Sequence, residues 1–403
     1  MATNAKNIAE LLNTDTTVAV GDIADGSVTT AKLAADAVTS AKLADNSVVT
    51  ANITDDAVTS GKVNPAGLNL GRRNIIINGA MQISQRIGTT ATAITAGNYG
   101  LDRWGMYYDG NSFTTQQVVD APAGFYNSMK LTVTGTTTPN YSFFGQRIEG
   151  LNVNHIGLGT ANCQSFTVSF YVKSSVAGVY SISMTNGAGD LAYPVQYTIN
   201  SANTWERKSM TIAPITSGTW VKDNTNGLYL RMNLGSPSGR TAAANGWRSG
   251  NFDGADGSTG AVTWATTSGA TFYMTGCQIE VGTSASDFEH RSHGEELSLC
   301  QRYFYRFTGH GILFYADYYS NDTMISKESL PVEMRVNPTV TTRGTGGSGG
   351  TAFSYTNLAA TPTLNASGKT GVAVYRGVSS AARTYIHIYN TSADYSVDAN
   401  AEL

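Results

Sequence analysis

Between residues 23 and 63 an apolar side chain returns at every fifth position: Ile23, Val28, Leu33, Val38, Leu43, Val48, Ile53, Val58 and Val63. That period matches neither the roughly 3.6 of a helix, the roughly 2 of a strand nor the roughly 3.5 of a heptad seam, so no single regular element accounts for it. The segments GSVTTAKLAAD, AVTSAKLADN, SVVTANITDD and AVTSGKV align on a ten-residue frame, with Lys32, Lys42 and Lys62 in register. Each unit reads as an extended Val-Thr step, a Thr or Ser cap and one helical turn over Ala-Lys-Leu. On a segment this thin, one apolar residue in five cannot offset roughly 1–2 kcal/mol of backbone entropy per residue within one chain. Several copies must therefore share a core. A low-complexity linker is the alternative, but it does not require a spacing this regular.

Ahead of the repeat, Asn4 can cap a short helix through Leu12 that places Ile8, Leu11 and Leu12 on one face, as in a docking peptide. Behind it, Asn64-Pro65-Ala66-Gly67 breaks the pattern and the composition changes. Charged residues are only 14% of the chain, below the roughly 25% of average globular domains. Gly, Thr, Ser and Asn fill the gap and, with 21 Tyr, describe short strands joined by tight turns. Strands are predicted at 74–77, 112–119, 128–134, 165–173, 178–184, 206–212, 227–234 and 270–281. In 165–173, Phe166, Val168, Phe170 and Val172 alternate onto one face, which is expected to be core. The charged stretch FEHRSHGEELSLCQRYFYRF marks a boundary, and further strands are predicted at 311–319, 339–343, 371–376 and 384–389, interrupted by a flexible linker at 344–350. The expected organisation is all-β: a docking peptide at 1–22, a thin repeat shaft at 23–66, a β-sandwich at 71–285, a bridge at 286–302 and a smaller β-domain at 303–403.

Net charge −3 and a pI near 6.0 supply no basic footprint for nucleic acid, and no stretch is long and apolar enough for membrane insertion. Cys163, Cys277 and Cys300 form no C-x-x-C pair, so buried free thiols are expected, and Cys300 has no arranged base beside it. His290 and His293 are three apart with Gly294 expected to break a helix, which points to salt bridging and capping rather than metal ligation. Asp190, Asp223, Asp253, Asp256, Asp317 and Asp322 lie in polar stretches where turn formation is the default role of Asp. The expectation is a non-enzyme without a cofactor. Sugar rings stack their C–H faces on aromatic side chains, which singles out Trp220, Trp247 and Trp264 in Gly-rich stretches, and Tyr315, Tyr318 and Tyr319 with Asp317 and Asn321. Trp104 is expected in the core.

Several segments resemble phage tail fibres and related virion appendages. The VTTAKLA decads are similar to tail-fibre shafts, and GRRNIIINGAMQ followed by Leu101-Asp102-Arg103-Trp104 resembles the opening of a carbohydrate-binding-module jelly roll. QIEVG, DFEHRS and EELSLCQRYF resemble its close, and PVEMR with Asn337-Pro338-Thr339-Val340 extends the likeness. The resemblance implies an elongated homotrimer made in the host bacterial cytoplasm and ending in the virion. It would be held to other phage tail or virion proteins through residues 1–22 and would bind host surface polysaccharide or lipopolysaccharide. It also implies a structural calcium at Asn78 and Glu280. The competing class is a purely structural virion decoration. The full chain is expected to sediment as a trimer, and a monodisperse monomer at micromolar concentration would contradict a shared repeat core.

Overall fold

The computed structural model describes residues 29, 33, 37–39, 42–44, 47–49, 53, 72–307, 311–320, 323–343, 363–377, 386–390 and 396–403, with side chains omitted at 311–327, 342–343, 363–365, 374–377, 386–390 and 396. The chain divides into two compact units, Met1–Leu70 and Gly71–Leu403. In the first, the backbone bends at Leu33, Val38, Leu43, Val48 and Ile53. These are the positions of the five-residue period, and within one chain they are 42–53% exposed. The Lys42 N–H donates to the Thr39 carbonyl at 2.9 Å and the Ser47 N–H to that of Ala44 at 3.0 Å. Ile8, Leu11, Leu12, Val28, Val58, Val63 and Asn321 lie outside the described residues.

The second unit is built on two six-stranded sheets. The first runs β1 (Thr92–Ala93), β3 (Phe113–Val118), β4 (Ser128–Val133), β14 (Thr271–Val281), β6 (Phe166–Ser174), β9 (Glu206–Ile212). The second runs β12 (Arg248–Ser249), β8 (Leu191–Ile199), β7 (Gly178–Asn186), β10 (Asn226–Asn233), β5 (Tyr141–Glu149), β2 (Gly105–Asp109). A short parallel pair, β11 (Thr241–Ala242) and β13 (Gly254–Ala255), crosses beside them. The core lies between the sheets. Phe166, Val168, Phe170 and Val172 are each fully buried, as the alternation required, and Trp104 is 1% exposed.

Three strands, the edge strand β2 and the longer β5 and β8, escape a reading by alternation. In β5 all but Tyr141 and Arg147 are buried, so YSFFGQRIE has no polar face to alternate with. In β8, Pro194 interrupts the run; it is tolerated because the β12 partner pairs only at Leu191 and Ala192, leaving the Pro194 edge without a ladder that needs its N–H. The converse correction concerns 74–77, which is no strand. Its backbone is satisfied largely by side chains: Gln146 accepts from the Ile77 N–H at 2.9 Å and donates to the Ile77 carbonyl at 2.7 Å, and the Asn74 amide donates to the Cys277 carbonyl at 3.2 Å.

The stretch expected to bridge two domains is built into the sandwich instead. Ser292 caps the helix His293–Gln301 by accepting from the Glu295 N–H, and Gly294 sits in its first turn rather than breaking it. From there, buried Glu296 accepts from the Asn78 N–H and Arg291 donates to the carbonyls of Asn74 and Ile76. A three-stranded sheet of β15 (Phe304–Phe307), β22 (Ser396–Asn400) and β18 (Thr339–Arg343) follows. A five-stranded sheet runs β19 (Thr363–Ala366), β20 (Gly371–Gly377), β17 (Thr323–Ser329), β16 (Gly311–Ser320), β21 (Ile386–Asn390). Arg302 forks onto the Glu149 carboxylate at 2.9 and 2.8 Å, and Glu402 pairs with both Arg86, at 2.9 Å, and Arg103. Arg335 donates to the carbonyls of Ala401 and Glu402, each at 3.0 Å. Removing one partner of a buried ion pair strands the other charge. Glu402→Ala is therefore expected to lower unfolding free energy by about 3–5 kcal/mol in urea melts. A loss below about 1 kcal/mol, the range of surface pairs, would show that the seam is solvated.

Candidate functional site

Two of the tryptophans singled out in the sequence meet at one edge of the second sheet. β12 pairs with the edge of β8 through Arg248 and Ser249, which brings Trp247 against Tyr193, ring centres 5.4 Å apart. Trp220 comes from the connection between β9 and β10 and meets Trp247 edge to face at 5.6 Å and 85°. Both indoles are half-buried and pinned: Trp247 donates to the Ala213 carbonyl at 2.8 Å and Trp220 to that of Ser217 at 3.1 Å. Trp220 is also wedged between Gly159 and Gly218, both at positive φ, and a Cβ on Gly159 would lie 2.5 Å from the indole. Only glycine fits there.

Trp220 forms one wall of a cleft of about 230 Å³, with Lys222, Asn154, Asn162, Thr160 and Val153 among the lining residues. No carboxylate lines it. The side-chain amides of Asn154 and Asn162 and the Lys222 ammonium, all on exposed residues, make no hydrogen bond among the described residues. An apolar ring face beside several uncommitted donors and acceptors suits a polyhydroxylated ring: the indole covers C–H groups while the amides and ammonium meet hydroxyls. Tyr193, Asn154, Asn162 and Lys222 are not singled out by sequence. Tyr193 lies in the strand whose alternation Pro194 obscures, and the others are loop residues without a periodic signal.

Trp264, expected to be exposed, is fully buried. It sits on the unanticipated helix Thr259–Thr266 and stacks on Phe113 at 5.5 Å and 11° between planes. Tyr315, Asp317, Tyr318 and Tyr319 lie on β16, which pairs Tyr315 with His387 and Asp317 with Ile325; their side chains are outside the described set. Asn78 and Glu280 do not fit a calcium site. Asn78 is fully buried with its side-chain oxygen accepting from the Ile83 N–H at 2.9 Å and its amide donating to the Ile83 and Asp102 carbonyls. Glu280 accepts from Gln278 at 2.8 Å and the Ser286 N–H at 2.9 Å. Among the described residues no group of three or more His, Cys, Asp or Glu could hold a metal ion.

Asp253 is another correction. Rather than forming a turn, it is fully buried and shared by Arg231, Arg240 and Ser236 at 2.9–3.0 Å. His290 packs against Phe288 at 4.9 Å and Phe125 at 5.2 Å. Burial pushes the Cys277 and Cys300 thiols up, which disfavours the nucleophilic thiolate.

No protein-family model matches this chain, and no curated protein matches it. Among solved structures, the enzymatically active domain of tailspike protein 4 of bacteriophage CBA120 is similar over 52% of this chain at 14% identity and TM-score 0.28. The chain spans about a fifth of that protein, 21% of its length. The CBM22-1 xylan-binding domain from Paenibacillus barcinonensis matches 50% of this chain and 99% of its own, at 10% identity and TM-score 0.25. The family 11 carbohydrate-binding module of a cellulosomal cellulase of Clostridium thermocellum matches 51% and 99%, at 16% identity and TM-score 0.24.

The two environments predict losses of different size on truncation. Trp264→Ala is expected to cost about 3–5 kcal/mol in urea unfolding, as a large core deletion does. Trp220→Ala, half-exposed at a loop, should cost about 1 kcal/mol. The reverse order would overturn both placements.

Proposed function

We propose that this chain is a bacteriophage tail fibre that binds host cell-surface glycan through the β-structure of 71–403 and does not cleave it. Residues 1–22 hold it to other tail or virion proteins, and residues 23–66 form a three-chain shaft. The observation that carries the glycan reading is the Trp220–Trp247 pair beside a cleft with uncommitted amides and an ammonium. Support for the shaft comes from the repeat, whose apolar residues are exposed at every fifth described position within one chain and call for other copies to cover them. Three copies on one stalk would raise effective concentration, so weak single-site binding suffices to hold a particle on a cell.

The test uses fluorescently labelled protein lacking residues 1–22, together with the same protein carrying Trp220→Ala and Trp247→Ala. The parent should adsorb to susceptible bacteria, be displaced by their isolated surface polysaccharide or lipopolysaccharide, and lose at least about tenfold in affinity when the stacking surface is removed. No adsorption by the parent would favour the structural decoration instead. Adsorption unchanged by the double substitution would move the glycan contact away from the Trp220 cleft.

A further inference from the structure

The outer face of the first sheet carries a row of cations and aromatic rings that runs across its strands. Strand register aligns Gln116 on β3 with Lys130 on β4, Lys130 with Tyr273 on β14, and Tyr273 with Lys173 on β6. Because Val172 pairs with Glu206, Trp205 immediately before β9 continues the row past Lys173. All five side chains are half-buried, so each presents an edge or face outward. The Lys173 ammonium lies 4.3 Å from the Tyr273 ring centre and 5.2 Å from that of Trp205, while Lys130 lies 5.7 Å from Tyr273. The two rings meet edge to face, 6.2 Å apart at 71°. Asp120 fixes the arrangement by accepting from both Lys173 and the Trp205 indole. Burial raises the Asp120 carboxyl, but the hydrogen bonds from Lys173 and Trp205 outweigh it and hold the group below its ordinary range.

Charge decides what such a row would take. Exposed Arg207 faces Tyr171, two residues along from the Lys173–Trp205 pair and therefore on the same face; among the described residues its side chain donates only to the Ser286 carbonyl, and Lys130 forms no ion pair. Glu206 is occupied by Lys208 and the Asn200–Ser201 backbone. Three cations thus stand against one carboxylate on a chain whose net charge is −3. Alternating cations and ring faces recur at the spacing of neighbouring strands, about 4.7–4.9 Å, which is comparable to one unit of a sugar polymer. Three cations are too few for a nucleic-acid footprint, where a basic stripe neutralises many phosphates.

We infer that this row is a docking surface for an anionic polysaccharide, laid across the strands with acidic groups on Lys130, Lys173 and Arg207 and sugar faces on Tyr273 and Trp205. It deepens the glycan-binding reading by naming a ligand class, but it is separate from the Trp220 cleft and is tested without cells. The probe is polygalacturonate, with its fully methyl-esterified form and poly-L-glutamate as controls, titrated against the full-length protein. Polygalacturonate should bind and weaken steeply with salt, because exposed charges are screened within about 10 Å at 0.1 M. Neither control should match it, since one lacks the charge and the other the sugar face. Lys130→Ala with Arg207→Ala should weaken binding by at least about tenfold. Lys130→Arg with native Arg207 should retain it, and Trp220→Ala should leave it unchanged. Equal binding of either control, no effect of the double substitution, or no binding of polygalacturonate would overturn the proposal. Loss on Trp220→Ala alone would assign the acidic polymer to the cleft and overturn it as well. Failure of cell adsorption with polygalacturonate binding intact would leave this surface standing and remove the tail-fibre reading.

Discussion

The second unit depends on how it buries a stretch of backbone that joins no ladder. Residues 74–78 run through the interior, and unpaired N–H and C=O groups there would cost about 1–3 kcal/mol each. Gln146 closes both backbone groups of Ile77, while Asn74 uses its own side chain toward Ile76 and Ile279. Glu289 and Glu296 accept from the N–H groups of Asn74 and Asn78, and Arg291 caps the carbonyls of Asn74 and Ile76. All three charged partners come from the stretch following β14. The N–H groups of Asn74 and Asn78 and the carbonyls of Asn74 and Ile76 therefore find these partners only when residues 289–296 have packed against the opening, which couples local order to closure of the sandwich.

That coupling explains why the charged segment after Phe288 is not a link between domains. Glu289, Arg291 and Glu296 are committed inward, and the helix that follows leads directly into Tyr303 and Phe304, both nearly fully buried. Arg103, itself buried, stacks on the Tyr303 ring at 3.5 Å and pairs with Glu402 from the last described strand region. Charged residues are few in this chain, and many of them are placed where they join segments distant in sequence rather than where they solvate a surface.

With so much charge drawn inward, the outer surfaces are set by small polar residues and aromatics. On such a surface a few uncommitted cations dominate the local potential even when the chain as a whole is acidic. Both the Trp220 cleft and the Lys130–Lys173 row combine half-buried rings, held by hydrogen bonds to carbonyls or to Asp120, with cations. Rings fixed in this way lose little freedom when a ligand covers them, which favours binding of weakly interacting hydroxylated surfaces.

The amino-acid sequence alone determined the features that repeat along it. The period of five in residues 23–63 matches no single regular element, and the alternation of Phe166 to Val172 placed a core face correctly, because both depend only on local spacing. It could not reveal β5, whose two covered faces erase alternation, nor the helix around Trp264, a small-residue segment of weak amphipathicity. The site lay still further out of reach. Trp220, Trp247 and Trp264 look alike in sequence, each preceded directly by Gly or Thr in a stretch of small residues, and nothing local distinguishes a ring that stacks on Phe113 from one that faces a cleft. Only tertiary structure decided that, because the contacts that bury Trp264 and those that join Trp220 to Trp247 are made across strand pairings between residues far apart in the chain.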